Sequence, residues 1–392
     1  MDKQEKEKIL AQDTPMQPPR RKRKVWRILL IVLLCLFLLL GMVIGGGYWW
    51  IHHTIDSNVG TSDNYTEDEV DANKKDDIVD NIVDANPDVD PDEVGDKIAN
   101  VHNIALFGVD QEVGSVGRSD AMIILSIDKA NNKIKMTSLA RDSLVPIDGH
   151  GEEKLTHAWA YGHARLALKT INQAYGMNIT DYAYINFAEF QTLIDYIGGV
   201  EVHVNELELG VLNYTPDKSE RLPGTGKQRL NSRQALLYSR IRKDSDTNRT
   251  ARQREVLIAM YEQVRSQPIT KLPETLKVAL RLCHTNMSSN TIMDIARWAI
   301  FNTPTIESLS LPNAELKPWS GILDKARGWV RIYDLDAAKK VLYRFLYEVD
   351  TKVTGVTAYV PAPTEQESTT TTSPVTNPPT TTVETGEATT TP

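Results

Sequence analysis

"GRSDAMIILSIDKANNKIKMTSLARDS", Gly117 to Ser143, decides how this chain folds. Two β-rich runs, Met122–Ile127 and Ile134–Leu139, flank a polar turn at Lys129–Asn132. Closing them as a hairpin with Ile127 opposite Ile134 makes paired residue numbers sum to 261 and brings Asp120 opposite Arg141. "RSD" and "ARD" then meet at one end of a sheet, with Arg118, Asp120, Arg141 and Asp142 together. The plain reading is an ion pair closing a strand end, since exposed pairs are common and individually weak. Just upstream, "NIALFGVD" is a further strand-like run that ends on Asp110.

A second stretch shifts the balance toward a ligand. "LLYSRIRKDSDTNRTARQRE", Leu236–Glu255, carries Arg240, Arg242, Arg249, Arg252 and Arg254 in a chain whose formal net charge is -8. "LLYSRIR" reads as a strand with Tyr238, Arg240 and Arg242 on one face. A helix follows, capped by Asp246, Thr247 or Asn248. Arg249, Arg252, Gln253 and Val256 share one face of it, continued into the core by Met260 and Val264. Arginines in a first helical turn oppose the macrodipole, and an anion bound there removes the conflict. Guanidinium forks clamp phosphate in two-point fashion. Asp110 and Asp120 add what a hard cation such as Mg2+ needs beside phosphate oxygens. Carboxylates and arginines in one cleft describe metal-assisted phosphoryl chemistry.

The ends of the chain set the compartment. Arg20, Arg21, Lys22, Arg23, Lys24 and Arg27 precede an uncharged run of 24 residues, Ile28–Ile51, long enough to cross a bilayer. Trp26, Tyr48, Trp49 and Trp50 mark its two ends, and the basic cluster keeps the N-terminus cytoplasmic. From Thr54 to Ala99 there are fifteen Asp or Glu against three Lys, a composition expected to stay extended as a stalk. The expected layout is a basic tail over 1–27, a transmembrane helix over 28–51, an acidic extracellular linker over 52–100, a folded domain over 101–350 and a Thr/Pro-rich disordered tail over 351–392. Cys35 and Cys283 leave the soluble part without a disulfide, and the eight histidines form no HExxH pair. An extracellular site argues against nucleic acid as the partner of the basic cluster and for a phosphate-bearing ligand.

The succession "NIALFGVD", "GRSDAMIILSID", "SLARDS", "KLTHAWAYGHARLALKTI", "DYAYINFAEFQTLIDYIGGVEVHV", "NSRQALLYSRIRKDSDTNRTARQREVL", then "ESLSLPN" and "GWVRIYDLDAAKKVLYRFLYE", resembles the LytR-CpsA-Psr family over about residues 102 to 350. The resemblance implies an α/β extracellular catalytic domain, a mixed β-sheet covered by helices, preceded by one transmembrane helix. It implies transfer of a glycopolymer such as teichoic acid from an undecaprenyl diphosphate carrier to peptidoglycan in a Gram-positive wall. The partners expected are a polyprenyl diphosphate-linked glycopolymer, peptidoglycan and the cell membrane, with no nucleic acid. Asp110 and Asp120 fall on the family's Mg2+ positions, and Arg118, Arg141, Arg240 and Arg242 on its diphosphate-binding arginines. Asp246, Arg249 and Gln253 match its D-x-x-R-x-x-x-Q stretch, and Lys154 matches a lysine after the third strand. Ala140 and Thr156 depart from the proline and asparagine frequent in the family, and neither change removes a charge.

The reaction so implied has the C6 hydroxyl of N-acetylmuramic acid attacking the sugar-proximal phosphorus. Arg141, Arg240 and Arg242 would stabilise the developing charge, and Asp142 would take the proton if no ion pair locks it. Water as acceptor would make the protein a pyrophosphatase, and loss of turnover would make it a wall-binding regulator. For the prenyl chain the family encloses a tunnel; "FQTLIDYIGGVEV" and "IMDIARWAIF" are the apolar candidates here, with ordinary core as the plainer reading.

Overall fold

The computed structural model describes residues 64–110, 117–215, 217–353 and 355–360. The expected basic tail, the apolar span over 28–51 and most of the Thr/Pro-rich tail lie outside them. Among the described residues no helix is long and apolar enough to cross a membrane.

Two helices open the fold where an extended linker was expected: α1 (Lys75–Ala85) and α2 (Pro91–Asn100). The linker expectation is corrected for this part of the chain. Ile78 and Ile82, like Val94 and Ile98, stand four residues apart and form buried stripes, while the acidic residues take the outer faces. Asp90 caps α2 by accepting from the Asp92 N–H, and Pro91 takes the first helical position. A composition average hides this amphipathic spacing.

Strands β1 (Val101–Asp110), β2 (Arg118–Asp128) and β3 (Lys133–Leu139) follow as an antiparallel meander. Ile127 pairs with Ile134, the predicted register. The turn closes because Asp128 accepts from both the backbone and side-chain amide of Asn131. A short hairpin, β4 (Leu144–Ile147) and β5 (Gly151–Lys154), leads into α3 (Leu155–Tyr175), which breaks at Gly162–His163. Then come β6 (Asp181–Asn186), α4 (Phe187–Ile197), β7 (Val200–Val204), α5 (Glu206–Leu212) and β8 (Gly226–Leu230). The chain continues through α6 (Ser232–Ser239), α7 (Asp246–Arg265), α8 (Leu272–Leu282), β9 (His284–Thr285), α9 (Ser289–Asn302) and β10 (Thr305–Leu311). It closes with the hairpin β11 (Trp319–Asp324) and β12 (Gly328–Ile332), and α10 (Leu335–Tyr347).

The central sheet has the order β10-β3-β2-β1-β6-β9 and is mixed: β10 runs parallel to β3 and β6 parallel to β1, the other pairs antiparallel. Helices cover both faces, which is why the central strands read as nearly unbroken apolar runs. On one face Phe107, Val109, Met122 and Ile124 pack with α1, α2, α3 and α10. On the other, Ile123, Ile134 and Met136 meet Leu257 and Ile258 of α7 and Trp298 of α9. This is the mixed, helix-covered α/β sheet that the sequence implied.

One element is corrected. "LLYSRIR" is not a strand: its first four residues end α6, and Arg240 to Arg242 lead out of that helix. The Asn231 side chain accepts from the Gln234 N–H while the Gln234 side chain reaches back to the Asn231 N–H. This capping box starts a helix just before the stretch that seemed to alternate.

Candidate functional site

The site is built where β1, β2 and β3 reach one end of the sheet. Gly108 pairs with Ala121 but Val109 pairs with Ser119, so Asp120 is the extra residue of a β-bulge. A bulge re-aims side chains, and here Asp120 and Ala121 both face the same cavity. Asp120 Oδ1 accepts from Arg141 Nη1 at 2.6 Å, and its Oδ2 lies 3.6 Å from Arg242 Nη2. Arg141 Nε donates to Asp142 Oδ2 at 3.3 Å, and Lys154 Nζ stands 3.6 Å from Asp142 Oδ1. Lys154, Asp142, Arg141, Asp120 and Arg242 thus form one chain of alternating charge across four segments. Burial pulls the Arg141 pKa down, but the Asp142 and Asp120 carboxylates outweigh it and leave the value raised.

Asp110 ends β1 directly opposite Arg118 at the start of β2, and both are exposed. They border the charged chain through the bulge, and neither lines the cavity. Asp110 and Asp120 supply carboxylate oxygens, the donor type a hard cation takes when phosphate and water complete its sphere. Among the described residues no group of three or more His, Cys, Asp or Glu is placed to hold a metal ion. Two carboxylates of this kind would hold Mg2+ only if phosphate or water oxygens completed its sphere.

Helix α7 brings the second arginine set. Its N-cap is Ser245, whose hydroxyl accepts from the Asn248 N–H, one residue ahead of the earliest predicted cap. Of the four residues expected to share one helical face, Arg249, Gln253 and Val256 line the cavity, and Arg252 does not. Arg252 turns away to Glu208 Oε1 at 2.7 Å and to Asp244. Arg254 reaches the hydroxyls of Ser138 and Ser310 at 2.6 and 2.9 Å. Arg249 is 4% exposed; its Nη2 forms an ion pair with Asp246 Oδ1, while its Nε and the Oδ2 of Asp246 make no hydrogen bond. Burial lowers the Arg249 pKa; Asp246 opposes this, and Arg141 and Arg242 add to it. With Nη2 on Asp246, the Nε of Arg249 is left to donate to an anion in the cavity.

Arg240 lies over Phe187, its guanidinium carbon 4.4 Å from the ring centroid. Phe187 was not legible as part of a site, because an aromatic at a helix start looks the same when it is only core. Thr156 also emerges as a support: its Oγ1 donates to the Ser119 carbonyl at 2.8 Å and its N–H to the Arg141 carbonyl at 3.0 Å. Ala140, where the family often has proline, uses its N–H on the Leu311 carbonyl at 2.9 Å.

Behind the guanidinium groups lies a cavity of about 290 Å³. Asp120, Arg240, Arg242, Arg249 and Gln253 share its lining with apolar residues of α4, α6 and α7, among them Phe190, Leu193, Leu236, Leu257 and Met260. Of the two apolar runs suggested for a tunnel, the first contributes Phe190 and Leu193, and the second contributes nothing to this lining. Ile292 and Trp298 of the second run pack in core clusters instead.

Comparisons with known proteins bear on the family and the fold. The polyisoprenyl-teichoic acid–peptidoglycan teichoic acid transferase TagU of Oceanobacillus iheyensis is 36% identical over 186 residues, which span 45% of this chain and 56% of the relative. A solved protein of Streptococcus agalactiae, gbs0355, superposes with a TM-score of 0.55 at 26% identity, covering 67% of this chain and 93% of that one. TagT with bound octaprenyl pyrophosphate lipid superposes with a TM-score of 0.50 at 24% identity, covering 64% and 92%, and shares the fold. The sequence model of the LytR_cpsA_psr family matches residues 56–338, well over half of the chain and every element of the site, and the protein belongs to that family.

Proposed function

We propose that this protein is a phosphotransferase that moves a glycopolymer from a polyprenyl diphosphate carrier to the C6 hydroxyl of N-acetylmuramic acid in peptidoglycan. One observation carries the reading: a buried arginine, Arg249, ion-paired with Asp246 but with its Nε unpartnered, stands at the junction of an arginine-rich mouth and an apolar cavity. That junction matches a ligand with a doubly charged head and a hydrocarbon tail. About 290 Å³ is at the lower end for ligand sites, so it takes the head-proximal part of a long prenyl chain. The names of the relatives, a teichoic acid transferase and a protein holding octaprenyl pyrophosphate, support the same chemistry.

In this reading Arg118, Arg141, Arg240, Arg242 and Arg249 hold the diphosphate, with Gln253 as a neutral hydrogen-bonding partner. The acceptor oxygen bonds to the sugar-proximal phosphorus as the bond to prenyl phosphate breaks, the hydroxyl proton passing to the departing phosphate, and the guanidinium groups balance the charge gathering there. Asp110 and Asp120 would hold Mg2+, which neutralises diphosphate charge when bound. Asp142 faces Arg141 and Lys154 with its two carboxylate oxygens, so the condition for its acting on the acceptor proton is not met. Its role is to position Arg141. The basic cluster before residues 28–51 supports a single-pass placement with the N-terminus cytoplasmic and this domain outside.

The test is transfer by the full chain from a synthetic lipid-diphosphate sugar to peptidoglycan fragments, with and without Mg2+. Arg141→Ala is expected to lower transfer by about 100-fold or more. Full transfer by that variant would overturn the reading, and free sugar phosphate in place of a glycan conjugate would make the protein a hydrolase.

A further inference from the structure

In-line displacement at phosphorus places the entering hydroxyl opposite the leaving oxygen. If the prenyl phosphate leaves with its chain in the cavity among α4, α6 and α7, the acceptor approaches from the opposite side of the Asp120–Arg141 pair. Asp142 lies there: it pairs with Arg141 and does not line the cavity. The β11–β12 hairpin is seated on this residue. The Arg331 N–H donates to the Asp142 carbonyl at 2.8 Å, and Arg331 bridges Ser143 in parallel.

The two faces of that hairpin differ. Val330 is fully buried and Gly321 is pressed against the Trp319 ring, which makes theirs the inner face. The outer face pairs Ile322 with Trp329 and Ser320 with Arg331. Ile322 is 75% exposed and Trp329 41%. The Arg331 guanidinium lies 5.8 Å from the Trp329 ring centroid, and its buried Nε has no hydrogen-bond partner. An aromatic ring, a hydroxyl and an under-used guanidinium therefore run in order toward Asp142. A pyranose offers an apolar face to an aromatic ring and hydroxyls to a polar rim. Its lactyl or peptide substituents offer carboxylates, which a guanidinium binds in two-point geometry.

We propose that the outer face of the β11–β12 hairpin is the acceptor subsite, binding a carboxylate-bearing amino-sugar strand with one pyranose on Trp329 and a carboxylate on Arg331. This rests on the transferase reading and adds where its second substrate docks. Cationic Arg331 and the absence of a carboxylate among the four outer-face residues fit an anionic glycan.

Three measurements on the full chain in detergent test it: the acceptor KM for peptide-free glycan strands, the affinity for octaprenyl diphosphate, and association with anionic phospholipid vesicles. Trp329→Ala is expected to raise the acceptor KM roughly tenfold, with octaprenyl diphosphate affinity within about twofold of wild type. Trp329→Phe restores most of the loss. Arg331→Gln is expected to weaken strands with intact lactyl carboxylates and to leave carboxyl-reduced strands unaffected. An unchanged acceptor KM in Trp329→Ala overturns the proposal, and a simultaneous loss of vesicle association would assign the face to the membrane surface. Wild-type protein that binds no octaprenyl diphosphate would instead sink the transferase reading, and the subsite with it.

Discussion

Arg249 and Arg252 stand three residues apart on one helix and have opposite fates. Arg252 is matched twice, by Glu208 and Asp244, and its charge is structural. Arg249 is equally buried and ion-paired with Asp246, but its Nε finds no acceptor, so it keeps a donor for an anion. Arg249→Lys, which leaves Asp246 a cationic partner but removes the Nε donor, should therefore lower transfer about tenfold or more while shifting the melting temperature of the unliganded protein by only a few degrees. Octaprenyl diphosphate should raise the wild-type melting temperature and leave that of the variant nearly unmoved. A variant that still transfers at the wild-type rate would remove Arg249 from the phosphate site. For Arg252 the expectation is reversed: Arg252→Met costs about 3–5 kcal/mol, since Glu208 would be left buried and unpaired. The Arg252 hydrogen bond holds the Asp244 pKa down at about 2. A depressed carboxylate pKa gives stability that is complete above the usual aspartate value, near 4, and is lost as pH falls through about 2. Asp244→Asn should cost about 1 kcal/mol at pH 7, after allowing for solvent screening, and little at pH 2. Urea unfolding of both proteins across that range measures the difference.

Elements were legible to the extent that pairing and burial repeat. The β2–β3 register could be read because two β-rich runs of similar length are joined by one polar turn, so a slip would carry polar turn residues into the ladder. It also placed Asp120 against Arg141, and their carboxylate and guanidinium meet at 2.6 Å. The bulge at Asp120 left no trace in the sequence, because one extra residue changes pairing without changing composition. "LLYSRIR" failed for a different reason: over seven residues an alternating pattern and a helical one coincide, and the decisive signal was the Asn231–Gln234 capping box upstream. Thr156 shows how elements fix the site together, since it ties β2 at Ser119 to the backbone of Arg141. Thr156→Val keeps the shape and deletes the hydroxyl. It should cost about 1 kcal/mol in stability and lower kcat more than donor affinity, while Thr156→Ser recovers both. Equal kcat for the valine and serine variants would show that this hydrogen bond does not position the bulge.

Across the whole molecule the sheet divides two tasks. One face carries the cavity and its arginines against α4, α6 and α7; the other carries a core closed by α1, α2, α3 and α10. The family's motifs lie on strands and helices that end at the site, so they were readable as chemistry. The segment before them was not, because its mean composition is acidic and its apolar residues are few. Yet Val70, Ile78, Ile82, Val94 and Ile98 are each no more than 2% exposed in the core of the second face. Burying one such side chain contributes roughly 1.5–3 kcal/mol, so five contribute on the order of 10 kcal/mol. That is comparable to the whole stability of an ordinary domain, about 5–15 kcal/mol. Deleting residues 64–100 from the full chain should therefore unfold the domain, although it removes no residue of the site. Ile78→Ala, expected to cost about 2–5 kcal/mol, is the graded version and should leave octaprenyl diphosphate affinity unchanged at temperatures where the protein stays folded. Thermal unfolding of wild type, Ile78→Ala and the deletion decides the matter: a deletion protein that melts within about two degrees of wild type would mean that these helices only rest on the domain, and the extended-linker view of residues 64–100 would be right in energy if not in shape.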